Sequence, residues 1–371
     1  MSEVQVSAPL KSYELVSNEL VTDALKNDKG PNVELLSWEI KPFTNKGDNY
    51  SSIVVGITVS YRKNEMNSEC SYVAKLNPLR PLNSNTENFE KAYTRETEVL
   101  DGIVEGMNNQ LKQLGFDAIK TPKLLSKNLE KGREAFVTEN LRTQGFKMCD
   151  KMRGMDLNHS LFVVKELGRF HASSLLFEET LPTKYIPDTF NGVKGGWLDA
   201  DEKAIEEMGK FYSSITKPIE SFLKTSDPKY EKCCNWLSKN SHTLAKTFLN
   251  GMQLSNQFEV LIHGDCWSNN MLFRYNEDGI PIDFRFVDLQ CSGKSSATTD
   301  LNYFFFTSLN GDFPQGEDVP DMDNMTDDRM DEFIDKQARK FEEMSGREGP
   351  FSDRYIAIFD DMLDTDIFDA D

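Results

Sequence analysis

Runs of apolar and β-branched residues predict a small sheet in the first part of the chain. Residues 52–61 are rich in Val, Ile and Thr, and residues 72–76 form a second such run. The polar stretch 62–71 between them is suited to a hairpin connection. A third apolar run, at 135–138, predicts another strand of the same region.

Apolar positions with helical spacing follow these strands. The segment 86–104 places Glu96 on one face with apolar residues, and the segment 157–177 predicts a longer amphipathic helix. The expected core-facing positions of the second helix are Leu161, Val164, Gly168, His171 and Leu175. His171 is expected to be a core histidine with satisfied hydrogen bonds.

Three short strands are predicted later in the chain, at 258–262, 271–275 and 284–287. The last two are joined by a polar turn and form a hairpin. The order is therefore strands and a helix first, and then mostly helix with a small hairpin. This order predicts an α+β fold with two lobes, a β-rich N-lobe and a larger, mainly helical C-lobe.

Composition and charge narrow the class of protein. The 371 residues include no run of about 18 apolar residues, so no membrane span is expected. The net charge is −19, and no basic stripe suggests binding to nucleic acid. The six cysteines do not follow the spacing of a disulfide framework or zinc site, which predicts reduced thiols in a cytoplasmic protein.

The chemistry is concentrated in residues 260–290. His263-Gly264-Asp265 is followed five residues later by Asn270, and Asp288 ends the next hairpin. Phosphoryl transfer needs a carboxylate that orients and deprotonates the attacking hydroxyl, together with hard oxygen ligands for Mg²⁺. This spacing predicts Asp265 as the base and Asn270 and Asp288 as the magnesium ligands.

Other kinds of site fit this sequence less well. A P-loop ending at Gly293-Lys294-Ser295 would need a glycine at position 288, which is Asp. His263, Cys266 and Cys291 lack a fourth zinc ligand at suitable spacing, and no G-x-S-x-G element suggests a serine hydrolase. The landmarks of a protein kinase activation segment are also missing from the sequence.

The strings HGDCWSNNMLF, RFVDLQ and TTDLNYFF resemble the ecdysteroid kinase-like family, within the aminoglycoside phosphotransferase and choline kinase branch of the kinase-like fold. The resemblance extends over roughly residues 35–310. It implies ATP and Mg²⁺ as cofactors and a small-molecule alcohol, ecdysteroid-like or xenobiotic, as substrate. It also implies that Asp300 braces the catalytic loop.

The same resemblance assigns the residues that would hold ATP. Lys75, in Tyr-Val-Ala-Lys, would bind the α and β phosphates and pair with Glu96, although Glu90 and Glu98 compete for that role. Glu139 and Leu141 would present hinge backbone groups to adenine, with Asn140 where the family often has Asp. The residues expected to form the phosphate-covering loop are Gly47, Asn49, Ser51 and Ser52.

These expectations divide the chain into an N-lobe at 1–138, a C-lobe at 139–310 and an acidic segment at 311–371. The last segment carries 20 acidic and 6 basic side chains, a net −14, which leaves −5 for the first 310 residues. It also replaces C-lobe helices that the family normally has. An active kinase is therefore predicted, with a catalytically impaired protein that binds nucleotide or ligand as the alternative. Aromatic residues within 185–257 would line the acceptor pocket or fill the core of the lobe.

Overall fold

The structure of the protein is a computed structural model. It describes residues 11–44, 52–80, 86–150, 154–194, 202–252 and 259–309, together with ten separate positions between 332 and 364.

A five-stranded antiparallel sheet forms the N-terminal part of the fold, with strand order β1-β2-β3-β5-β4. Its strands are β1 Glu34–Pro42, β2 Ile53–Lys63, β3 Met66–Leu76, β4 Leu124–Asn128 and β5 Ala135–Glu139. Helix α1 (Asn18–Lys29) covers one face and contributes Leu20, Val21, Ala24 and Leu25 to a shared core. The sheet thus has one face that is closed by a helix from the start of the described chain.

Between β3 and β4 lies a long helical segment. It comprises α2 (Thr86–Glu98), a π-helical turn (Val99–Ile103) and α3 (Val104–Gln113). Wide turns of this kind are rare and often occur near functional sites, because they rotate the side chains that precede them relative to those that follow. Val99 and Ile103 from the π-helical turn are fully buried in a second core that also contains Phe136 of β5.

The remaining part of the described chain is largely helical. Its helices are α4 Leu157–Glu178, α5 Ile186–Thr189, α6 Glu202–Ser226, α7 Glu231–Asn240, α8 Leu244–Met252 and α9 Ala297–Ser308. Its short strands are β6 Lys147–Met148, β7 Glu259–Ile262, β8 Met271–Tyr275, β9 Pro281–Phe286 and β10 Gly293–Ser296. Strands β8 and β9 form the predicted hairpin, and β7 pairs with β10.

The α+β class and the order of a β-rich lobe followed by a mainly helical lobe are confirmed. None of the described helices is long and apolar enough to cross a membrane.

Two local predictions were wrong. The predicted hairpin is present, but its connection is only Asn64–Glu65 and not the whole stretch 62–71, because β2 and β3 stay paired from Ile53↔Leu76 to Lys63↔Met66. The end of the hairpin next to this turn is mostly exposed, so its strands carry few apolar residues although their backbones remain paired. In α4 the buried face runs through Val163, Leu167 and Phe170, whereas Leu161 is 58% exposed. The helix is therefore rotated by about one residue, or roughly 100°, from the predicted orientation.

Several aromatic residues of the 185–257 segment belong to a separate core. Tyr230 is buried with Leu223 and Cys233, and Phe222 and Trp236 pack against the same cluster. Phe359, near the end of the chain, completes it, and the Tyr230 hydroxyl donates to Asp360 at 2.8 Å. These contacts favour the core role for these three aromatic residues over an acceptor wall.

Candidate active site

The loop that carries Asp265 begins where β7 ends and is shaped by Gly264. This residue has φ of +82°, a backbone conformation that is unfavourable for residues with a Cβ atom. A Cβ atom at this position would lie 2.1 Å from the carbonyl oxygen of Cys291. Only glycine therefore allows the two backbone segments to approach this closely, which explains the residue between His263 and Asp265.

Asp300, in the first turn of α9, holds the same loop by its backbone. Its two carboxylate oxygens accept hydrogen bonds from the N–H groups of His263 (2.8 Å) and Gly264 (2.9 Å). One of these oxygens also accepts a bond from Nε2 of His171, at 2.8 Å. Asp300 is 1% exposed, so this buried charge is compensated by three donors. The expected bracing contact of Asp300 and the expected core position of His171 are both present.

His263 connects the loop to the end of β9. Its Nε2 lies 3.1 Å from the carbonyl oxygen of Val287, and its Nδ1 accepts from the N–H of Asp265 at 3.3 Å. These partners require the proton on Nε2 and leave Nδ1 as an acceptor. The imidazole thus fixes the distance between the Asp265 loop and the strand that leads to Asp288.

Asp265 and Asn270 meet across this loop. The Asn270 amide nitrogen donates to the Asp265 side chain at 2.8 Å and to its backbone carbonyl at 3.0 Å. The Tyr303 hydroxyl of α9 also interacts with the Asp265 carboxylate. Burial, with repulsion from Asp288 added, raises the pKa of Asp265, while His263, Asn270 and Tyr303 act in the opposite direction. The carboxylate is therefore a stronger base than an ordinary aspartate.

Asp288 follows β9 in a left-handed backbone conformation, with φ of +64° and ψ of +59°. Such a conformation is uncommon for residues other than glycine and is found disproportionately at functional sites. It turns the chain into the 3₁₀ turn Leu289–Cys291. One Asp288 oxygen lies 2.5 Å from Nζ of Lys75, and the side chain remains 30% exposed. The hairpin and this turn therefore bring the end of β9 to the lysine of β3.

Lys75 joins the sheet to α2 and to the hairpin. Its Nζ lies 2.6 Å from Glu96 and also donates to the side-chain oxygen of Gln290 at 3.2 Å. The competing acids lie elsewhere, because Glu98 accepts from the N–H of Gly192 and Glu90 approaches Lys131. Of the three candidate acids on α2, Glu96 is the partner of Lys75.

The charges of this pair are strongly coupled. Burial opposes the charge on Lys75, but the carboxylates of Asp288 and Glu96 outweigh it and raise the lysine's pKa. Burial raises the pKa of Glu96 to about 7, against the attraction of Lys75 and with added repulsion from Asp288. Two carboxylates, those of Glu96 and Asp288, thus share one ammonium group, and the Asp265 carboxylate adds a further negative charge that interacts with Asp288. Such an excess of negative charge favours the approach of a cation.

The residues expected to hold a metal ion are one carboxylate, that of Asp288, and one amide, that of Asn270. Asn270 uses its amide nitrogen in both contacts with Asp265, so its amide oxygen is the atom available as a ligand. Within the described ranges, His, Cys, Asp and Glu side chains form no group of three or more that could hold a metal ion. This donor set fits Mg²⁺, which keeps several waters and takes phosphate oxygens, better than a cation that needs a full protein cage.

The residues expected to form the hinge begin at Glu139, the last residue of β5. The Glu139 carboxylate accepts from the N–H of Lys123 (2.9 Å) and from the Gln144 amide (2.6 Å), and the buried Leu141 begins a 3₁₀ turn. Asn140 caps this turn, and its amide also donates to the Ser71 hydroxyl at 2.9 Å. An ionised aspartate has no N–H group that could donate this hydrogen bond to Ser71, so the bond explains why Asn suits this position.

The phosphate-covering loop is described only at its end. Ser52 is 6% exposed and immediately precedes β2. The other residues expected in the loop, Gly47, Asn49 and Ser51, lie outside the described residues.

Sequence reasoning missed three residues of the site. Tyr303 lies three positions after Asp300 on α9, so helical spacing places both on one face toward the loop. Gln290 belongs to the same short string as Asp288. Arg95 is 7% exposed and donates to the backbone carbonyl of Gln290 at 2.8 Å. The first two could have been found from their spacing to assigned residues, whereas the contact of Arg95 spans 195 positions and leaves no local signal.

A search of curated proteins found no match for this chain. The model of one family matches residues 46–322, well over half of the chain, and that family is described as the ecdysteroid kinase-like family. The matched residues include β2, β3, α2 and the whole segment from His263 to Asp300. The chain therefore belongs to the ecdysteroid kinase-like family.

Proposed function

We propose that this protein transfers the γ-phosphoryl group of ATP to a hydroxyl of a small molecule, in a reaction that depends on Mg²⁺. Membership of the ecdysteroid kinase-like family implies small-molecule kinase activity. The observation that supports the finer proposal is a single cluster, in which Lys75 contacts both Glu96 and Asp288 while Asn270 contacts Asp265.

Asp265 would act as the base. Its carboxylate orients the acceptor hydroxyl and takes its proton, so that the oxygen can bond to the γ-phosphorus while the bond to the β-phosphate oxygen breaks. The pKa of Asp265 is raised by burial, which strengthens it as a base. Asn270 and His263 hold the carboxylate and its backbone in place.

Lys75 would bind the α and β phosphates, and Glu96 would hold its ammonium group in position. Asn270 and Asp288 would hold Mg²⁺, which neutralises charge on the phosphates when it is bound. Glu139 and Leu141 would present backbone groups to adenine, and the loop containing Gly47, Asn49, Ser51 and Ser52 would cover the phosphates.

The acceptor is proposed as an ecdysteroid or another apolar alcohol, first on the strength of the family description. Tyr303, Phe305 and Phe306 lie on α9 and are 41–48% exposed, and Tyr303 reaches Asp265. An apolar surface beside the base suits a mainly apolar alcohol. We further propose that the reaction takes place in the cytoplasm, where ATP and Mg²⁺ are available.

The test is Mg²⁺-dependent transfer of labelled γ-phosphate from ATP to a panel of ecdysteroids and simple alcohols. Asp265→Asn should lower transfer by about 10²–10⁴-fold, because the base is lost while the side chain keeps its shape. Binding of Mg·ATP should persist in that variant. Asp278→Asn, in the exposed turn between β8 and β9, is the matched control and should transfer normally.

Equal product formation by the wild type and Asp265→Asn would contradict the assigned base. Binding of Mg·ATP without product from any acceptor would favour the alternative of a catalytically impaired, nucleotide-binding protein. Restoring the C-lobe helices that other family members have would then distinguish a lost activity from an untested acceptor.

A further inference from the structure

Helix α2 is attached to the segment that follows α5 through the backbone of Gly192. The Arg95 side chain donates through Nε to the carbonyl oxygen of Gly192 at 2.7 Å. The Glu98 carboxylate accepts from the N–H of the same glycine, also at 2.7 Å. The backbone N–H and the backbone carbonyl of Gly192 are thus both hydrogen-bonded to side chains of α2. One of these side chains precedes Glu96 in the helix and the other follows it.

The approach of these two segments requires glycine at position 192. A Cβ atom there would lie 2.9 Å from Cα of Arg95 and 3.0 Å from its backbone nitrogen. Because these are main-chain atoms, the helix itself would have to move. A second close contact lies one turn further on, where the ring of Phe190 would be 2.5 Å from a Cβ at Gly102 of the π-helical turn.

Arg95 also connects α2 to the turn after Asp288. Its Nη1 donates to the backbone carbonyl of Gln290 at 2.8 Å, and the Gln290 side chain in turn accepts from Lys75. The arginine is 7% exposed, so these charge-assisted bonds lie out of water and are stronger than surface contacts. Glu96 lies between Arg95 and Glu98 in the helix, so the hydrogen bonds of these two residues determine its position.

We propose that Arg95, Glu98 and the backbone of Gly192 form a docking contact that holds Glu96 against Lys75 in the unmodified single chain. Arg95 and Gly192 are then positioning residues for nucleotide binding, an inference that rests on the proposed kinase function. In kinases that are switched by movement of the corresponding helix, the lysine–glutamate pair forms only after activation. Here the pair is assembled by contacts within the chain and needs no phosphorylated loop or partner.

The docking contact can be tested without nucleotide. Hydrogen exchange of the α2 amides should be about 10-fold faster or more in Gly192→Ala than in the wild type. The matched control is Gly168→Ala in α4, where an added Cβ meets nothing within 4 Å. Unchanged exchange in Gly192→Ala would overturn the docking contact.

The functional part is tested by titrating Mg·ATP into the full-length variants. Affinity should fall about 10-fold in Gly192→Ala, but no further when Glu96→Gln is already present, because the glycine acts through Glu96. Additive losses, or wild-type affinity in Gly192→Ala, would overturn this inference and leave the proposed kinase function standing. A wild type that does not bind Mg·ATP would overturn both.

Two milder variants cover the case in which Gly192→Ala does not fold. Arg95→Lys keeps the charge but cannot bond both carbonyl oxygens, so it should weaken Mg·ATP binding in the same way. Glu98→Gln keeps an acceptor for the Gly192 N–H and should bind within about 3-fold of the wild type. The opposite order of these two variants would contradict the assigned roles.

Discussion

The two sides of the candidate site are held by different kinds of contact. On the Asp265 side, the contacts are made to the main chain of the loop, since the Asp300 carboxylate accepts from two consecutive N–H groups and Gly264 lies against the Cys291 carbonyl. On the other side, Lys75 and Glu96 are fixed by their charged side chains, at 2.6 Å.

This difference separates steric from electrostatic control. The conformation of the Asp265 loop should be sensitive to added atoms and to lost backbone partners. The pair of Lys75 and Glu96 should be sensitive to pH, because burial brings the pKa of Glu96 to about 7. The comparison would be wrong if added atoms had little effect on the Asp265 loop, or if pH had little effect on the pair of Lys75 and Glu96.

The largest effect is expected from Gly264→Ala. The new Cβ would have to occupy the space of the Cys291 carbonyl oxygen, so the loop must move and phosphoryl transfer should fall by about 100-fold or more. Gly279→Ala is the matched control, because Gly279 has a similar φ of +75° but open space around it. It should lose about 1–2 kcal/mol of stability from the positive φ and keep its transfer rate. Equal transfer by both variants would contradict steric control of the loop.

Asp300→Ala should produce the next largest effect, mainly on stability. It leaves the N–H groups of His263 and Gly264 buried without their acceptor, at about 1–3 kcal/mol for each group. Thermal or urea unfolding should therefore show a loss of about 2–5 kcal/mol. Asn302→Ala, at an exposed position on the same helix, should change stability by less than about 0.5 kcal/mol. A similar loss in both variants would assign the effect to the helix rather than to the loop.

The two sides also differ in how far they could be predicted from sequence. His263, Asp265, Asn270 and Asp288 lie within 26 residues of one another, and their roles require fixed spacing along a loop and a hairpin. A pattern of this kind is local, so its geometry follows from the backbone elements that carry it.

The lysine side could be predicted only in part. Lys75 was found from its position on a strand, but its partner stayed open among three acids, because helical spacing alone does not fix which face of α2 meets the sheet. The rotation error in α4 has the same origin, since its apolar residues occupy more than one face and tertiary contacts select Val163 over Leu161. Contacts such as that of Arg95 with Gly192 depend on packing between distant segments.

An intermediate effect is expected from pH and from Glu96→Gln. As the pH falls through about 7, Glu96 becomes protonated and Lys75 loses an ionic partner, so Mg·ATP affinity should decrease. The Glu96→Gln variant should bind Mg·ATP about 10-fold more weakly than the wild type at pH 8. Its affinity should not change as the pH passes through about 7. Glu90→Gln, on the same helix, is the control and should keep the pH dependence of the wild type. Calorimetric titration of Mg·ATP between pH 6 and 8 measures the affinity of both variants.

The free energy of unfolding should depend on pH in the opposite direction to the Mg·ATP affinity. Because the folded-state pKa of Glu96 lies above its ordinary value of 4.5, its contribution to stability is fully present below that value. The contribution is lost as the pH rises through about 7. Stability and nucleotide affinity should therefore change in opposite directions across this window, and a parallel change would contradict the assignment to Glu96.

The smallest effect is expected from Tyr303→Phe, which removes only the hydroxyl that interacts with the Asp265 carboxylate. That interaction lowers the pKa of Asp265, so its loss should move the acidic limb of the kcat profile to higher pH, because transfer requires the ionised base. Above that limb, kcat should fall by less than about 10-fold, since the base itself remains. Tyr185→Phe is the matched control, with a tyrosine of similar exposure, and should leave the profile unchanged. A Tyr303→Phe profile that coincides with that of the control would show that the Tyr303 hydroxyl does not tune the base, and the Asp265 carboxylate would then be positioned by Asn270 and by the backbone contacts of the loop.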